Sequence, residues 1–434
     1  MAKTCKALVE YKEVITTTGI TINNYEPPKK TMRRFVRLLK NIDDIRIEKM
    51  IDYPLFEIIA IAFLAVLGNA SSWYEIEKFG KTKTKWLKKF LKLENGVPSH
   101  DTFRRVFSLI DPEQLQQATV FFLLENIEKI KKSLKISDNS KRIICVDGKE
   151  QKGTGRKYGT TSQVRNLQTL HVYDASNGVC LFSKSIDSKT NEIPVAQDIL
   201  KTMQLKNSIV TFDAMNTQKK TIEIIVNQKG DFVGALKANH ETFSNEVSEY
   251  FSSEKLQQIK KSGKNFYKTI EKSHSQVETR RYYLTTSVNW FEDKNDWKKL
   301  KGFLCYEKNI YNTITNKESK EVRYYITSLK DVELCAEAIR GHWSVENQLH
   351  WHLDYNFGED DNTTTDKNAF NNLSLLNKLC LSLYKLVQPL MKNASIRSIR
   401  KIFSWSTEDS LALLLNSFDE NTLCQALNNA KNSK

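Results

Sequence analysis

Three acidic residues stand where metal-dependent chemistry is possible. Asp147 and Asp213 each end a short apolar, β-branched run that predicts a central strand, and Glu346 lies far downstream in a helical pattern. Two aspartates and a glutamate can hold two divalent cations about 3.5 to 4 Å apart, which activate a water or hydroxyl and stabilise the leaving oxygen of a phosphodiester. Taken singly, Asp147 before Gly148 is also typical of a turn. Together, the three acids predict the cutting and joining of DNA.

The elements around the two aspartates predict how they come together. The hydrophobic pattern predicts strands at 142–147, 167–174, 179–186, 208–213 and 232–237, with helices near 194–204 and 217–228. This order matches a ribonuclease H-like mixed sheet, in which the first and fourth strands lie side by side. Asp147 and Asp213 would then be neighbours despite their separation in sequence.

The predicted fold class is therefore α/β, with a ribonuclease H-like mixed sheet that carries a β-rich insertion and follows an all-helical N-terminal domain. We predict a basic N-terminal arm at 1–45 and a helical DNA-binding domain, similar to a helix-turn-helix, at 46–135. The catalytic domain is predicted in two segments, 142–239 and 322–390, with the insertion between them at 240–321. A helical tail is predicted at 391–434. In the helical domain, a helix that begins near Ser99 places its apolar residues on one face. Arg104 and Arg105 then project outward as candidate DNA contacts.

Composition and charge favour a polyanionic partner. The chain has 434 residues, of which 40% are hydrophobic, so we expect two or three domains with sizeable cores. Its net charge is +15, with 66 Lys and Arg against 51 Asp and Glu, which suits DNA but also fits a basic enzyme with scattered surface lysines.

The cysteines and the apolar runs predict a cytoplasmic location, with nucleoid association when DNA is bound. Seven cysteines without a Cys-x-x-Cys pair indicate reduced thiols and disfavour a zinc module. The most apolar run, at 55–67, is shorter than the roughly 20 residues of a membrane span, so it predicts a buried helix and no membrane partner.

Motifs in a fixed order along residues 50–390 resemble one known family. They are Asp52-Tyr-Pro54, Pro98-Ser-His-Asp-Thr-Phe103, Asp147-Gly-Lys149, Lys189-Thr-Asn-Glu-Ile-Pro194, Val210-Thr-Phe-Asp-Ala-Met215 with Gln218, Ala235-Leu-Lys-Ala-Asn239, His342-Trp-Ser-Val-Glu-Asn347, Leu349-His-Trp351, Leu353-Asp354 and Glu359-Asp360. This set is similar to the H-repeat-associated family of bacterial insertion-sequence transposases, members of the DDE superfamily with a ribonuclease H-like catalytic domain.

The resemblance implies a DNA transposase. Asp147, Asp213 and Glu346 would be catalytic and would bind two Mg²⁺ (or Mn²⁺) ions for strand transfer. The partners would be double-stranded DNA at the element's terminal repeats and at the target, and a second copy of the chain in a homodimeric synaptic complex.

Further residues are candidates for DNA contact. Lys149, Lys152 and Arg156 follow the first aspartate in a Gly-containing loop and could hold phosphates near the metals. Lys237 and Asn239 end the fifth predicted strand at the edge of the site. The other candidates are His274 and Arg280 in the insertion and His342, Trp343, Asn347 and His350 around Glu346.

His342, Glu346 and His350 recur at four-residue spacing, which places them on one helix face. Such a stripe could bind zinc, but no other Cys or His cluster supplies further ligands, and an oxygen-rich site favours magnesium or manganese. His350, His352 and Trp351 could equally be satisfied core residues. Many related transposases carry Arg and Lys where this chain has His342 and Leu353, so the resemblance implies no DNA-gripping pair there.

Two other functions remain open at this point. A nuclease of the same fold would cut DNA without strand transfer. A degenerate or co-opted transposase would bind DNA without catalysis, although the presence of all three acids argues against this reading.

Overall fold

The computed structural model describes residues 6–22, 29–136, 141–154, 157–158, 162–163, 166–186, 191–273 and 275–432. Within these ranges, eleven strands form a sheet of nine and a separate pair. The strands are β1 (Arg142–Gln151), β2 (Lys157–Tyr158), β3 (Ser162–Gln163), β4 (Leu167–Asp174), β5 (Val179–Ile186), β6 (Ser208–Phe212), β7 (Asp231–Leu236), β8 (Phe266–Ser273), β9 (Gln276–Thr285), β10 (Gly302–Asn312) and β11 (Glu318–Thr327). The order across the large sheet is β5-β4-β1-β6-β7-β11-β10-β9-β8, and β2 pairs with β3.

Seventeen α-helices lie in the described part of the chain. Those before the sheet are α1 (Lys6–Thr18), α2 (Lys29–Leu39), α3 (Leu55–Leu67), α4 (Trp73–Thr82), α5 (Thr84–Leu87), α6 (His100–Leu109) and α7 (Pro112–Leu134). Those between strands are α8 (Glu192–Thr202), α9 (Lys219–Asn227), α10 (Glu241–Tyr250) and α11 (Ser253–Ser262). Those after the sheet are α12 (Val332–Ser344), α13 (Trp351–Phe357), α14 (Lys367–Val387), α15 (Ile396–Trp405), α16 (Thr407–Asn416) and α17 (Glu420–Asn432).

Strand β1 lies between β4 and β6. It is parallel to β6, with Val146 opposite Phe212, and antiparallel to β4. Strand β6 is in turn parallel to β7. The predicted strands of this region, and the side-by-side position of the first and fourth of them, are confirmed. Strand β1 continues past its predicted end to Gln151 because these residues keep pairing with β4.

The residues predicted as a β-rich insertion begin with helices α10 and α11 and then form β8, β9 and β10. Strand β11 pairs with β7, with Tyr324 opposite Leu236, and β10, β9 and β8 follow in antiparallel order. The insertion strands therefore extend the large sheet as one continuous hydrogen-bonded layer.

Helix α14 joins the N-terminal helices to the sheet. It packs against α3, α6, α7 and β5, and its residues 372–387 are buried. Its Asn372 Nδ2 donates hydrogen bonds to the carbonyls of Phe107 and Ile110 at the end of α6, at 2.8 and 2.9 Å. The predicted helix at 55–67 is α3, and it is buried in the same core. None of the described helices has both the length and the apolar character required to cross a membrane.

Two stretches of the predicted basic arm at 1–45 are helical. They form α1 and α2, and the apolar residues Met32, Phe35 and Leu39 of α2 are buried in the helical core. These positions recur with helical spacing, but the cations between them hide the pattern in the sequence. Arg34 on the opposite side pairs with Glu125 of α7 at 3.0 Å.

Candidate active site

Asp147 and Asp213 lie on neighbouring strands at one edge of the sheet. Because Val146 is opposite Phe212 in the parallel pair, the next residue on each side is one of the two aspartates. Asp213 directly follows the end of β6, and both side chains are half-buried. The structure therefore brings together the first two predicted catalytic residues.

The charge around Asp147 is strongly negative. Burial, together with repulsion from Asp213, Glu192 and Glu346, raises the pKa of Asp147 from 3.8 to about 7, although a hydrogen bond from the backbone of Gly148 opposes the shift. A nearby negative charge disfavours the ionised form of a carboxyl group. Asp147 is therefore close enough to three other carboxylates, those of Asp213, Glu192 and Glu346, for each of them to raise its pKa.

Glu192 is the member of this group that the sequence analysis did not assign. It is the first residue of α8, and Asn191 caps this helix by accepting a hydrogen bond from the Ile193 amide at 3.1 Å. Burial and the charge of Asp213 raise the pKa of Glu192. The order of the strands is the signal that points to Glu192. Strands β1 and β5 are both antiparallel to β4, so they run in the same direction and their carboxyl ends lie on the same side of the sheet. The residues that follow β5 therefore start on the side where Asp147 lies.

Glu346 lies in a π-helical turn. Residues Val345–His350 form this turn between α12 and α13, so the helix is locally wider than the regular α-helix assumed in the sequence analysis. Such turns are frequent at functional sites. The Glu346 side chain is exposed and lines a cleft of about 1160 Å³.

The two histidines that flank Glu346 point into the protein. The His342 ring nitrogen Nδ1 is 3.1 Å from the Thr211 hydroxyl on β6. His350 is buried, with Nε2 2.9 Å from Nδ1 of His171 on β4 and Nδ1 3.8 Å from the Asp147 carboxylate. Burial lowers the pKa of His342 to about 4, despite the opposing charge of Asp213. Burial, and then Lys149 and Lys378, lower the pKa of His350 to about 3.

Both imidazoles are therefore neutral near pH 7. The predicted DNA contact by His350 needs a correction, because the residue is buried against β1 and β4. Because His350 lies between His171 and the Asp147 carboxylate, its position supports the alternative role of a core residue that positions Asp147.

The other predicted DNA contacts differ in exposure. Those with exposed side chains are Arg104, Arg105, Lys152, Lys237, Asn239 and Asn347. Trp343 is half-buried, with the Arg323 guanidinium 4.6 Å from its ring centroid. Arg156 and His274 lie outside the described residues. For the exposed residues, contact with DNA stays a prediction.

Two of the predicted DNA contacts, Lys149 and Arg280, are buried. Lys149 forms ion pairs with Asp354 and with Glu359, the latter at 3.4 Å, and its side chain is 7% exposed. Arg280 in β9 is buried and pairs with Glu271 at 3.0 Å and with Glu278. Both cations already have carboxylate partners in the fold, which sequence spacing alone does not reveal.

The four carboxylates form a chemically suitable donor set for a divalent cation. In the part of the chain that the structure describes, no three His, Cys, Asp or Glu side chains already converge as a metal cage. Carboxylate oxygens are the ligands that Mg²⁺ and Mn²⁺ prefer, and a cation would relieve the repulsion that raises the pKa of Asp147. The residues present therefore fit such ions.

Comparisons with known proteins identify the family of this chain. The family model described as "Transposase DDE domain" matches residues 138–383, and "DDE_Tnp_1-associated" matches residues 36–123. The chain is 32% identical over 351 residues to "Putative transposase YncI" of Escherichia coli O157:H7, which covers 79% of this chain and 85% of that protein. It is 29% identical over 335 residues to "H repeat-associated putative transposase YhhI" of Escherichia coli strain K12, which covers 76% and 84%, respectively.

A solved structure of the piggyBac transposase synaptic complex with hairpin DNA aligns with all of this chain and 85% of that one, at 10% identity and a TM-score of 0.36. This likeness is too distant to support an argument. The matches in sequence are sufficient by themselves, and they confirm the resemblance found in the motifs. The chain belongs to the H repeat-associated family of DDE transposases.

Proposed function

We propose that this chain is an active DNA transposase that binds the terminal inverted repeats of its own insertion sequence and catalyses metal-dependent cleavage and strand transfer. The observation that carries the proposal is the position of Asp147 and Asp213 at adjacent sites on parallel strands, with Glu346 close enough to act on the pKa of Asp147. In this proposal β5-β4-β1-β6-β7 is the ribonuclease H-like part of the sheet.

Asp147, Asp213 and Glu346 would hold two Mg²⁺ or Mn²⁺ ions. When bound, these ions would activate water for cleavage and the freed 3′ hydroxyl for joining, and would stabilise the leaving oxygen. Asn216 orients one ligand, because its backbone N and its Nδ2 donate to Asp213 Oδ1 at 3.1 and 3.2 Å. Neutral His342 and His350 support the strands beneath the site through Thr211 and His171.

The DNA would approach through the cleft that Glu346 lines. Among the cations that line this cleft, Lys12 is exposed, whereas Arg340 pairs with Glu271 at 2.8 Å and Lys308 lies 3.6 Å from Glu278. The exposed aromatic ring of Trp351 also lines it, and such a ring can stack on a base. We further propose that the helical residues 46–135 read the repeat through exposed Arg104 and Arg105, and that two chains pair the element ends in the cytoplasm, at the nucleoid.

A cleavage assay on the element's own ends tests the proposal. The purified protein is incubated with a labelled duplex that carries the inverted repeats flanking its gene, with Mg²⁺, Mn²⁺ or chelator. We expect metal-dependent nicking at the repeat boundary and, when target DNA is added, joined product. Asp213→Asn should abolish both and leave repeat binding intact.

The matched control is Asp198→Asn, which makes the same change on the exposed surface of α8. It should cleave and join like the unaltered protein. Repeat binding without cleavage under any metal would favour a DNA-binding relic, and cleavage without joined product would favour a nuclease. Undiminished cleavage by Asp213→Asn would overturn the assignment of the site.

A further inference from the structure

We propose that Glu192 is a fourth carboxylate of the metal site, so that the site uses two aspartates and two glutamates. This inference rests on the proposed function, because it concerns ions that Asp147 and Asp213 would bind. It adds a residue outside the acidic triad and assigns that residue a role in ion affinity.

The position of the Glu192 side chain is defined by its contact with β1. A Cβ atom built at Gly148 would lie 2.0 Å from Glu192 Oε1 and 2.5 Å from its carboxyl carbon. The carboxylate therefore lies close to the backbone of Gly148, next to Asp147. Because Gly148 has no Cβ, the carboxylate can approach β1 this closely, and a larger residue here would displace the Glu192 side chain. Helix α8 begins at Glu192, which fixes the direction from which the carboxylate enters.

Asn216 links Glu192 to the second aspartate. Its amide group hydrogen-bonds to Glu192 as well as to Asp213, and the residue is fully buried. One amide thus holds two carboxylates at a common place. Helix α8 and the loop after β6 are joined at the active site by this contact.

The other end of that amide supplies a second observation. Asn216 Oδ1 is buried and has no hydrogen-bond partner among the described residues. Buried polar oxygens in folded proteins are normally satisfied, and a remaining one indicates an ordered water or an ion. This oxygen belongs to the same amide group whose nitrogen contacts Asp213 at 3.2 Å, so a water bound to it would lie close to a cation held by the carboxylates.

Mn²⁺ binding to the DNA-free protein tests the inference without relying on catalysis. Electron paramagnetic resonance or calorimetric titration would give the affinity and the number of ions bound. We expect Glu192→Gln to lower Mn²⁺ affinity by about tenfold or more, and to lower cleavage at limiting metal more than at saturating metal. Its thermal midpoint in chelator should equal or exceed that of the unaltered protein, because repulsion is removed.

Two further variants keep the test decisive. Glu333→Gln changes an exposed glutamate in the first turn of α12 and should bind Mn²⁺ normally. Glu192→Asp keeps the charge but withdraws it by one methylene, so its affinity should fall between those of the unaltered protein and Glu192→Gln.

The outcomes separate this inference from the proposed function. If the unaltered protein binds Mn²⁺ and cleaves, and Glu192→Gln binds Mn²⁺ with the same affinity and stoichiometry, only the role of Glu192 is overturned. If the unaltered protein neither binds Mn²⁺ nor cleaves its repeats, the proposed function fails and this inference fails with it.

Discussion

Two groups of acidic residues lie close together in this molecule and differ in how their charge is balanced. We call the first group the site acids; they are Asp147, Glu192, Asp213 and Glu346. We call the second group the paired acids; they are Asp354, Glu359 and Asp360. Lys149, two residues after Asp147, pairs with Asp354 and Glu359, and Lys152 pairs with Asp360 at 3.4 Å. Among the site acids, the largest influences on the pKa of Asp147 after burial are other carboxylates.

The paired acids connect β1 to the helices behind it. Glu359 is 1% exposed and accepts a hydrogen bond from the Ser374 hydroxyl of α14 at 2.6 Å. Lys378 of the same helix donates to that hydroxyl at 2.6 Å. A network in which lysines pair with the acids serves structure, whereas the site acids have mainly one another as charged neighbours, a repulsion that a cation can relieve. The comparison teaches that the missing counter-charge, more than the number of acids, distinguishes the candidate site.

The largest effect on stability should come from breaking the paired group. We expect Glu359→Gln to lower the free energy of unfolding by roughly 3 kcal/mol, because it removes one partner from a buried ion pair and leaves Lys149 and Lys378 less balanced. Urea denaturation at pH 7 measures this change. Cleavage per folded molecule should change by less than about tenfold.

The control for this variant is Glu408→Gln, which removes an exposed partner of Lys83 in a 3.4 Å surface pair. Its expected cost is below about 1 kcal/mol. Equal destabilisation by both variants would show that the paired acids are not a special structural group.

A pH titration of the metal-free protein tests the site acids. The folded-state pKa of Asp147 is raised from 3.8 to about 7, so between these values the folded state binds more protons than the unfolded state. Stability in chelator should therefore fall as pH rises from about 4 to 7. Asp147→Asn should reduce this fall, by on the order of 1 to 3 kcal/mol after allowing for the partial exposure of the side chain.

Denaturation in chelator at several pH values gives the measurement, and excess Mn²⁺ should flatten the curve of the unaltered protein. Identical pH dependence for the unaltered protein and Asp147→Asn would mean that neither burial nor the neighbouring carboxylates raise the pKa of Asp147 in the folded protein.

The sequence could predict the central strands and one buried helix. Apolar, β-branched runs marked the central strands, and the order of these strands placed Asp147 beside Asp213. The run at 55–67 gave the bounds of α3. These features follow from local hydrophobic periodicity, which a sequence displays directly.

What the sequence did not reveal depends on partners far along the chain. Lys149 is a plausible phosphate contact until its partner Asp354 is known, and these residues are 205 positions apart. From the sequence, Glu192 is an ordinary acidic residue in the first turn of a helix, and only the structure shows that its carboxylate lies against Gly148. The π-helical turn at Glu346 has no simple periodic signature. Local pattern therefore predicted many of the elements, whereas the pairing of acids with lysines depends on residues that lie far apart in the chain.

The smallest effect concerns the exposed edge of the paired group. Lys152 has a side chain that is 75% exposed and lies 3.4 Å from Asp360, so Lys152→Ala should change the free energy of unfolding by less than about 0.5 kcal/mol. If Lys152 instead contacts a phosphate, the same variant should reduce the salt dependence of DNA binding by about one unit of slope. Lys431→Ala, at the exposed end of α17, is the control and should keep the slope. An unchanged slope for Lys152→Ala would assign this lysine to the paired acids alone, and a lowered one would place the DNA across the boundary between the two groups.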